Sequence, residues 1–314
     1  MKLSVVVAIV DGGEALRACL AALRASLAVL PAQQGVSGSE LLVPVDSRCP
    51  HVREALAEHP EARVLALGEL ATVHPPASLL ALHERIDRRR AAGLAAASGD
   101  VIALIEDRVM PREDWALRLL EAHAAKPEAG VIGGAVAPPS GGRLARAVYF
   151  CDYGRYAPPF AAGPALALSD VNVSYKCAPL EATRELWRER YHESSVHARL
   201  RERGTLLWAT PDAVVAAARE HDAPLRLGAL LRERVAFARV FGWTRARDAG
   251  LARRLAWLAA TPLLPLLLTA RRIAERTRRG ALAQDGFLAA LPAIFVLSCA
   301  WSLGEALAYA TGRA

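Results

Sequence analysis

Two carboxylates and a guanidinium follow an apolar run in residues 103–115, ALIEDRVMPREDW. Carboxylate oxygens are the ligands that Mg²⁺ and Mn²⁺ prefer, and an arginine can bind a phosphate through two parallel hydrogen bonds. Acidic residues are equally typical of a solvated strand end that precedes a helix. Glu106, Asp107 and Arg108 are therefore either part of a metal and phosphate site or an exposed strand end. Alternation along a strand would point Glu106 away from Asp107.

Two more acids follow strand-like runs, Asp11 after LSVVVAIV and Asp46 at the end of ELLVPVD. Apolar strand patterns alternate with helical patterns along this part of the chain. The alternation predicts an α/β fold with a mostly parallel sheet flanked by helices. Ligands bind outside the carboxyl ends of strands in such sheets. We therefore expect Asp11, Asp46 and Asp107 at one rim.

The expected strands and helices can be placed by their hydrophobic periodicity. Gly, Pro and aromatic residues after residue 140 favour a connecting segment or mobile loop up to about residue 165. Neither a GxGxxG dinucleotide motif nor a P-loop is found. The predicted strands are 3–10, 40–46, 63–67, 101–105, 130–138 and 170–176, and the predicted helices are 14–30, 51–59, 78–97, 112–125 and one after residue 193.

The order of these motifs resembles the family 2 glycosyltransferases, which have the GT-A fold. Ile9-Val10-Asp11 resembles the first strand and turn of that family, and VPVDSRCP (43–50) resembles the end of its second strand. RRRAAGLAAASGD (88–100) resembles the family's Arg-Asn-x-Gly helix and Gly-Asp pair, with Ala91 in place of Asn.

The resemblance continues to about residue 216. Residues 103–115 resemble the family's DxD strand end, but Ile105 occupies the first Asp position and Asp107 the second. DVNVSYK (170–176) resembles a later strand, and His192-Glu193 resembles a Glu-Asp motif at a helix start.

The resemblance implies transfer of a sugar, with inversion, from a nucleotide-diphosphate donor with the help of Mg²⁺ or Mn²⁺. It implies Asp107 as the metal and diphosphate ligand, Asp46 and Asp11 at the nucleoside, and Arg90 and Arg108 near the phosphates. Glu193 falls on the position of the catalytic base, which takes a proton from the acceptor hydroxyl. The missing first Asp of DxD leaves open whether a metal is strictly required.

The basic charge of the chain lies in its C-terminal part. The formal net charge is +7; residues from 217 onward carry 15 Arg and 7 acidic residues, which sum to +8, so residues 1–216 carry −1. The same region holds two uncharged runs, 255–270 and 286–304. Basic and apolar residues together indicate a membrane surface and argue against nucleic acid. Whether the two runs span the membrane, lie in its interface or form a soluble core stays open.

These observations predict a catalytic domain over residues 1–222 and a membrane-associating region of apolar helices over residues 223–314. The N-terminal apolar run is too short for a secretory signal, and five scattered cysteines indicate neither a zinc site nor a disulfide framework. We therefore expect the chain at the cytoplasmic face of the inner (plasma) membrane, bound to membrane lipid.

The expected partners are a nucleotide-diphospho-sugar donor and a glycan or polyprenyl-linked acceptor of polysaccharide biosynthesis. Two alternatives remain: a catalytically silent homologue that binds a nucleotide or a partner at the membrane, and a peripheral membrane scaffold.

Overall fold

A computed structural model describes residues 1–30, 35–217, 225–247 and 249–313. The chain divides into two compact units. The first comprises Met1–Ala137 and Tyr156–Asp222, and the second comprises Pro138–Arg155 and Ala223–Ala314. The division expected from the sequence, between residues 222 and 223, omits Pro138–Arg155, which groups with the C-terminal residues.

The first unit contains a nine-stranded sheet in the order β3-β2-β1-β4-β8-β6-β9-β5, with β7 paired to β9. Its strands are β1 (Lys2–Ala8), β2 (Gly38–Asp46), β3 (Ala62–Gly68), β4 (Val101–Glu106), β5 (Val109–Pro111), β6 (Ala129–Ala137), β7 (Gly163–Pro164), β8 (Asn172–Lys176) and β9 (Leu206–Ala217).

The sheet is mixed, which corrects the expectation of a mostly parallel one. β3, β2, β1 and β4 run parallel, as the alternation of strands and helices predicts. β8 then inserts antiparallel between β4 and β6, and β5 and β7 pair antiparallel with β9. β6 and β9 pair in parallel again, so the antiparallel pairs are those made by β8, β5 and β7.

Helices flank this sheet. They are α1 (Gly13–Ala28), α2 (Val52–Ala57), α3 (Leu79–Ala96), α4 (Trp115–Ala125), α6 (Cys177–Glu181), α7 (Arg184–Trp187) and α8 (Glu193–Glu202). β1 and β4 are almost fully buried because helices cover both faces of the sheet there, which explains their continuous apolar sequence.

The buried Asn172 holds the antiparallel strand β8 in place. Its side-chain amide donates to the carbonyls of Ala135 and Ala213, and its oxygen accepts from Trp115 Nε1, each at 2.9 Å. A buried amide needs all these partners. This hub connects α4, β6, β8 and the segment of β9 that contains Ala213.

The second unit consists of helices. They are α5 (Arg143–Asp152), α9 (Leu227–Ala246), α10 (Leu251–Ala260), α11 (Leu264–Arg278) and α12 (Phe287–Thr311). α5 lies where the sequence favoured a loop. Leu251–Arg278 and Phe287–Thr311 are long and apolar enough to cross a membrane by length and composition alone. The expectation of apolar C-terminal helices is confirmed at that level.

Candidate functional site

The carboxyl ends of β2, β1 and β4 meet at one edge of the sheet. Ala8 pairs with Glu106 in register, and the amide of Asp107 donates to the carbonyl of Ala8 at 3.2 Å. Asp46 ends β2, the other neighbour of β1. The structure therefore brings the three predicted strand ends together at this edge.

Asp107 fastens the turn between β1 and α1. Its Oδ1 accepts from the amides of Val10 at 2.9 Å and Asp11 at 3.3 Å, and its Oδ2 accepts from Gly12 at 2.7 Å. The side chain is fully buried, and burial raises its pKa to about 6, although these amides oppose the shift. Both oxygens accept backbone hydrogen bonds, so Asp107 positions the turn. Its predicted role as a metal ligand stays a prediction.

Gly12 is required in that turn. Its φ is 68°, and a Cβ at this position would lie 1.9 Å from the carbonyl oxygen of Pro50. A residue with a side chain therefore cannot occupy the turn without displacing the backbone. The DGGE sequence after β1 thus serves the close approach of two loops and the start of α1 at Gly13.

Asp11 and Arg108 form a two-point ion pair at the edge. Arg108 Nε donates to Asp11 Oδ2 at 3.0 Å and Nη2 donates to Oδ1 at 2.8 Å. Both side chains are partly exposed, at 23% for Arg108 and 37% for Asp11. Among the predicted site residues this pair is the most accessible, so a ligand can reach the guanidinium without unfolding the site.

Asp46 is held by the buried Arg89. Arg89 Nε donates to Asp46 Oδ2 at 2.5 Å, the amide of Arg48 donates to Asp46 Oδ1 at 2.6 Å, and Arg89 Nη1 donates to the carbonyl of Ile9. Arg89 and Asp46 are 1% and 4% exposed. The carboxylate of Asp46 therefore already has a charged partner and a backbone partner. Its role at the nucleoside stays a prediction.

Three carboxylates surround the guanidinium of Arg90. Nη2 contacts Glu106 Oε1 and lies 2.6 Å from Asp170 Oδ2, and Nη1 lies 3.2 Å from Asp87 Oδ1. Asp87 precedes Arg90 by three residues on α3, which places both on one helix face. Asp170 precedes the antiparallel β8, whose start lies at the end of β4. Arg90, predicted to face the donor phosphates, is here neutralised by protein carboxylates.

The carboxylates near Arg90 outnumber it. Burial, assisted by the nearby charge of Asp170, raises the pKa values of Asp87, Glu106 and Glu193 to about 7. Arg90 opposes these shifts, and its own pKa rises because of the surrounding carboxylates, despite burial. The group therefore holds protons near neutral pH, as general acids and bases do.

Glu193 begins α8, as the sequence analysis expected for a helix start. The preceding His192 lies with its Nδ1 3.2 Å from Asp87 Oδ2, and burial lowers the pKa of His192. The coupling of Glu193 to Arg90, Asp170 and Glu106 places its carboxylate in the same electrostatic group. The structure thus associates Glu193 with Glu106 and Arg90. Its role as base stays a prediction.

A buried hydroxyl chain supports the start of α8. Tyr175 of β8 shares hydrogen bonds with the hydroxyl of Tyr191 and with His197 Nε2, the latter at 2.7 Å. The amide of Tyr191 donates to the carbonyl of Asp87 at 3.1 Å. These contacts connect β8, α8 and α3, the elements that carry Asp170, Glu193 and Arg90.

The described residues contain no group of three or more His, Cys, Asp or Glu side chains arranged for a metal. The carboxylates of Glu106 and Asp170 contact the same nitrogen of Arg90, and oxygen ligands of this kind can bind Mg²⁺ or Mn²⁺ together with substrate phosphates. Glu106 and Asp170 are therefore candidate metal ligands in addition to Asp107.

Sequence reasoning missed Asp87, Arg89 and Asp170 as candidates. Two signals were present: the spacing of three residues between Asp87 and Arg90, and the acid directly before a strand at Asp170. Neither signal identifies a partner, because Asp170 meets Arg90 only when β8 runs antiparallel to β4.

Comparison with known proteins gives the fold. No protein-family profile and no curated protein matches the chain. Among solved structures, the chain is similar to the mannosyltransferase PcManGT from Pyrobaculum calidifontis, determined in complex with GDP-Man and Mn²⁺. The TM-score is 0.56 over 99% of this chain and 88% of that chain, with 14% sequence identity. At this identity the likeness shows the fold alone.

Proposed function

We propose that the chain is an inverting glycosyltransferase of the GT-A type, related to family 2, which takes a sugar from a nucleotide-diphosphate donor. The observation that carries the proposal is the convergence of Glu106 and Asp170 on Arg90 at the carboxyl edge of the sheet, a cluster that also influences the pKa of Glu193. Ligands bind at this edge in sheets of this kind. The likeness to a protein whose structure contains GDP-Man and Mn²⁺ supports the same donor class.

Glu193 is the proposed base. Inverting transfer needs a carboxylate that takes the proton of the acceptor hydroxyl as the new bond forms. A pKa of about 7 makes Glu193 both substantially ionised and basic enough at neutral pH. Burial contributes most to this raised pKa; Asp170 and Glu106 also raise it, and Arg90 opposes them.

Arg108 is the proposed phosphate contact among the site arginines. Arg90 is surrounded by carboxylates, whereas Arg108 is partly exposed and forms an ion pair with the partly exposed Asp11. A diphosphate can accept two parallel hydrogen bonds from such a guanidinium. A bound Mg²⁺ or Mn²⁺, held by Glu106 and Asp170, would supply additional positive charge for the leaving diphosphate.

The proposed acceptor is a glycan or polyprenyl-linked molecule at the cytoplasmic face of the membrane. The motivation is the second unit, which contains two helices that are long and apolar enough to cross a membrane by length and composition. A hexose as the transferred sugar belongs to the same proposal. A preparation that transferred sugar equally well to soluble and to lipid-linked acceptors would contradict this choice of acceptor.

One observation favours a second candidate, a catalytically silent nucleotide-binding homologue. Asp46 and Arg90 already form salt bridges with protein side chains, as expected of a site whose charged groups bind each other and not a substrate. Such a protein would be stabilised by a nucleotide but would release none from a donor sugar. Turnover therefore separates the two candidates.

The proposal is tested by thermal unfolding of the full-length protein with UDP, GDP and dTDP, each with and without Mn²⁺. We expect stabilisation by one nucleotide, larger with Mn²⁺ than without it. At a ligand concentration of about 100 times Kd the gain corresponds to about 2.7 kcal/mol. Absence of stabilisation by all three nucleotides contradicts the proposal.

Two matched variants test which residue is responsible for the Mn²⁺-dependent part of the stabilisation. Glu106→Gln should remove the Mn²⁺-dependent part of the stabilisation, because it removes one of the candidate metal carboxylates. Glu113→Gln makes the same chemical change at an exposed position of the same segment and should leave the stabilisation intact. Equal loss in both variants would contradict the assignment of the metal to Glu106.

A further inference from the structure

Exposed large hydrophobic side chains are concentrated in the second unit. Among the described residues, this unit holds twelve of the sixteen such side chains. Leu263, Leu266 and Leu267 are 57%, 60% and 60% exposed on the α10–α11 segment, and Leu288 and Leu303 are 49% and 54% exposed on α12. A concentration of exposed apolar side chains is typical of a site of interaction with a protein or a membrane.

The α10–α11 segment and α12 form an antiparallel hairpin. At one end Arg254 Nη2 donates to the carbonyl of Tyr309 at 2.8 Å, and at the other end Arg276 Nη2 lies 2.9 Å from Asp285 Oδ2. The exposed leucines of both arms therefore belong to one packed structure.

The backbone of this hairpin is prepared for an apolar medium. Pro265 cannot donate to the carbonyl of Thr261, and Pro262 cannot donate to that of Leu258. The carbonyls of Thr261 and Leu258 accept instead from the backbone amides of Leu264 and Thr261. The hydroxyls of Ser302 and Thr261 donate to the same two carbonyls, the latter at 2.7 Å. Backbone groups beside prolines that all find donors within the protein are compatible with lipid.

The acidic residue of α12 is sequestered from the apolar surface. Glu305 is 4% exposed and accepts from Trp301 Nε1 at 2.7 Å and Tyr309 OH at 2.5 Å, with Arg245 Nη1 at 3.4 Å. The exposed positions of α12 are therefore free of charge along its length. Charges inside membrane segments face protein partners in this way.

Charge placement decides how the hairpin meets a bilayer. Its uncharged run of residues 255–270 is about 24 Å long at 1.5 Å per residue, shorter than the hydrocarbon core of about 30 Å. Arg253 and Arg271 flank that run and are exposed at its two ends. A span would place one basic end on each side of the membrane, against the tendency of arginines to remain cytoplasmic.

Helix α9 gives a second reason against a spanning orientation. It packs closely on α12, since a Cβ at Gly304 would lie 2.3 Å from the carbonyl oxygen of Val235. α9 carries Arg232 and Arg239 within its length, so a spanning α12 would bring these charges to membrane depth. An orientation in the plane of the interface leaves them at headgroup level.

We propose that the hairpin of Leu251–Arg278 and α12 lies in the plane of one leaflet of an anionic bilayer. Its exposed leucines contact acyl chains, and the arginines at both ends contact lipid phosphates. This mode of membrane contact goes beyond the proposed sugar transfer and is independent of it.

Vesicle flotation of the full-length protein tests the surface. Wild type should float with phosphatidylcholine vesicles that contain phosphatidylglycerol, and less well with phosphatidylcholine alone. The double variant Leu266→Glu and Leu267→Glu should bind at least about tenfold more weakly, because two exposed side chains lose their burial in lipid. Leu166→Glu, at a 76% exposed leucine of the first unit, should float like wild type.

Thermal unfolding of each variant checks that weaker flotation does not come from loss of fold. Each variant should unfold like wild type, because the replaced leucines are exposed. If the double variant floats as well as wild type, the proposed lipid-facing surface is wrong.

Thiol labelling tests the orientation. Leu251→Cys and Arg278→Cys mark the two ends of the segment in a background where the exposed Cys177 and Cys299 are replaced by Ser. Both marker cysteines should react with a membrane-impermeant maleimide added outside sealed vesicles. Labelling of one end only after the vesicles are lysed would mean that the segment spans the bilayer and would overturn the in-plane orientation.

Discussion

At the residue scale, Arg90 organises the candidate site. It is 6% exposed and contacts Glu106, Asp87 and Asp170. Buried charges persist only when they are paired, and removal of one partner leaves the others uncompensated. The site is therefore a balanced cluster, and its protonation depends on the single guanidinium at its centre.

Replacement of Arg90 by Met should destabilise the protein by about 3–5 kcal/mol at pH 8, because three carboxylates lose their buried cation. The penalty should shrink at pH 5, since Asp87 and Glu106 with pKa values of about 7 are then protonated even beside Arg90. Denaturant unfolding at both pH values measures this. Arg118→Met, at an exposed salt bridge, is the matched control and should change stability by less than about 1 kcal/mol. An equal penalty at both pH values would contradict the account.

The proposed base predicts a pH profile. Glu193 must be ionised to accept a proton, and its pKa is raised to about 7, mainly by burial. Activity should therefore rise as the pH increases through about 7 and fall below it. Because the cluster is coupled, the apparent pKa belongs to the group of carboxylates.

Measurement of kcat/KM between pH 5 and pH 9 checks this profile. Glu193→Gln should lower kcat by at least about 100-fold, the usual contribution of general base catalysis. His192→Asn, at the neighbouring residue that precedes the helix, should retain the rising profile. A flat profile in the wild type would rule out Glu193 as the base.

At the element scale, the turn between β1 and α1 depends on one carboxylate. Asp107→Ala leaves the amides of Val10, Asp11 and Gly12 without their acceptor, and an unsatisfied buried group costs about 1–3 kcal/mol. We expect a loss of at least about 3 kcal/mol in unfolding free energy, independent of Mn²⁺. Unfolding with and without Mn²⁺ provides the measurement.

Asp114→Ala serves as a control on the neighbouring helix start, since Asp114 makes only partly exposed ion pairs. If Asp107→Ala left stability unchanged but removed a response to Mn²⁺, Asp107 would be a metal ligand after all.

The sequence predicts elements well where strands and helices alternate. β1, β2, β3, β4, β6 and β8 lie within a few residues of their expected positions. β9 (Leu206–Ala217) escaped prediction because Pro211 and Asp212 interrupt its apolar pattern. α5 escaped because glycines precede it and a cluster of glycine, proline and aromatic residues follows it. Only part of the site was predicted from the sequence. Asp170 was missed because it lies on the antiparallel side of the sheet.

At the scale of the whole molecule, sequence and structure contribute different knowledge. The basic apolar C-terminal part of the chain indicated membrane association, and its helices are long and apolar enough for it. The sequence could not show that Glu305 pairs with Arg245 or that Ser302 donates to the carbonyl of Thr261. These contacts connect α12 to residues distant in sequence.

The central claim is that the chain turns over a nucleotide sugar. Its most direct test is release of nucleoside diphosphate from GDP-, UDP- and dTDP-sugars by the full-length protein in vesicles with membrane lipid extract, beside Glu193→Gln. The account predicts release from one nucleotide class by the wild type and its loss in the variant. Absence of release from every donor, or equal release by the variant, would contradict the account.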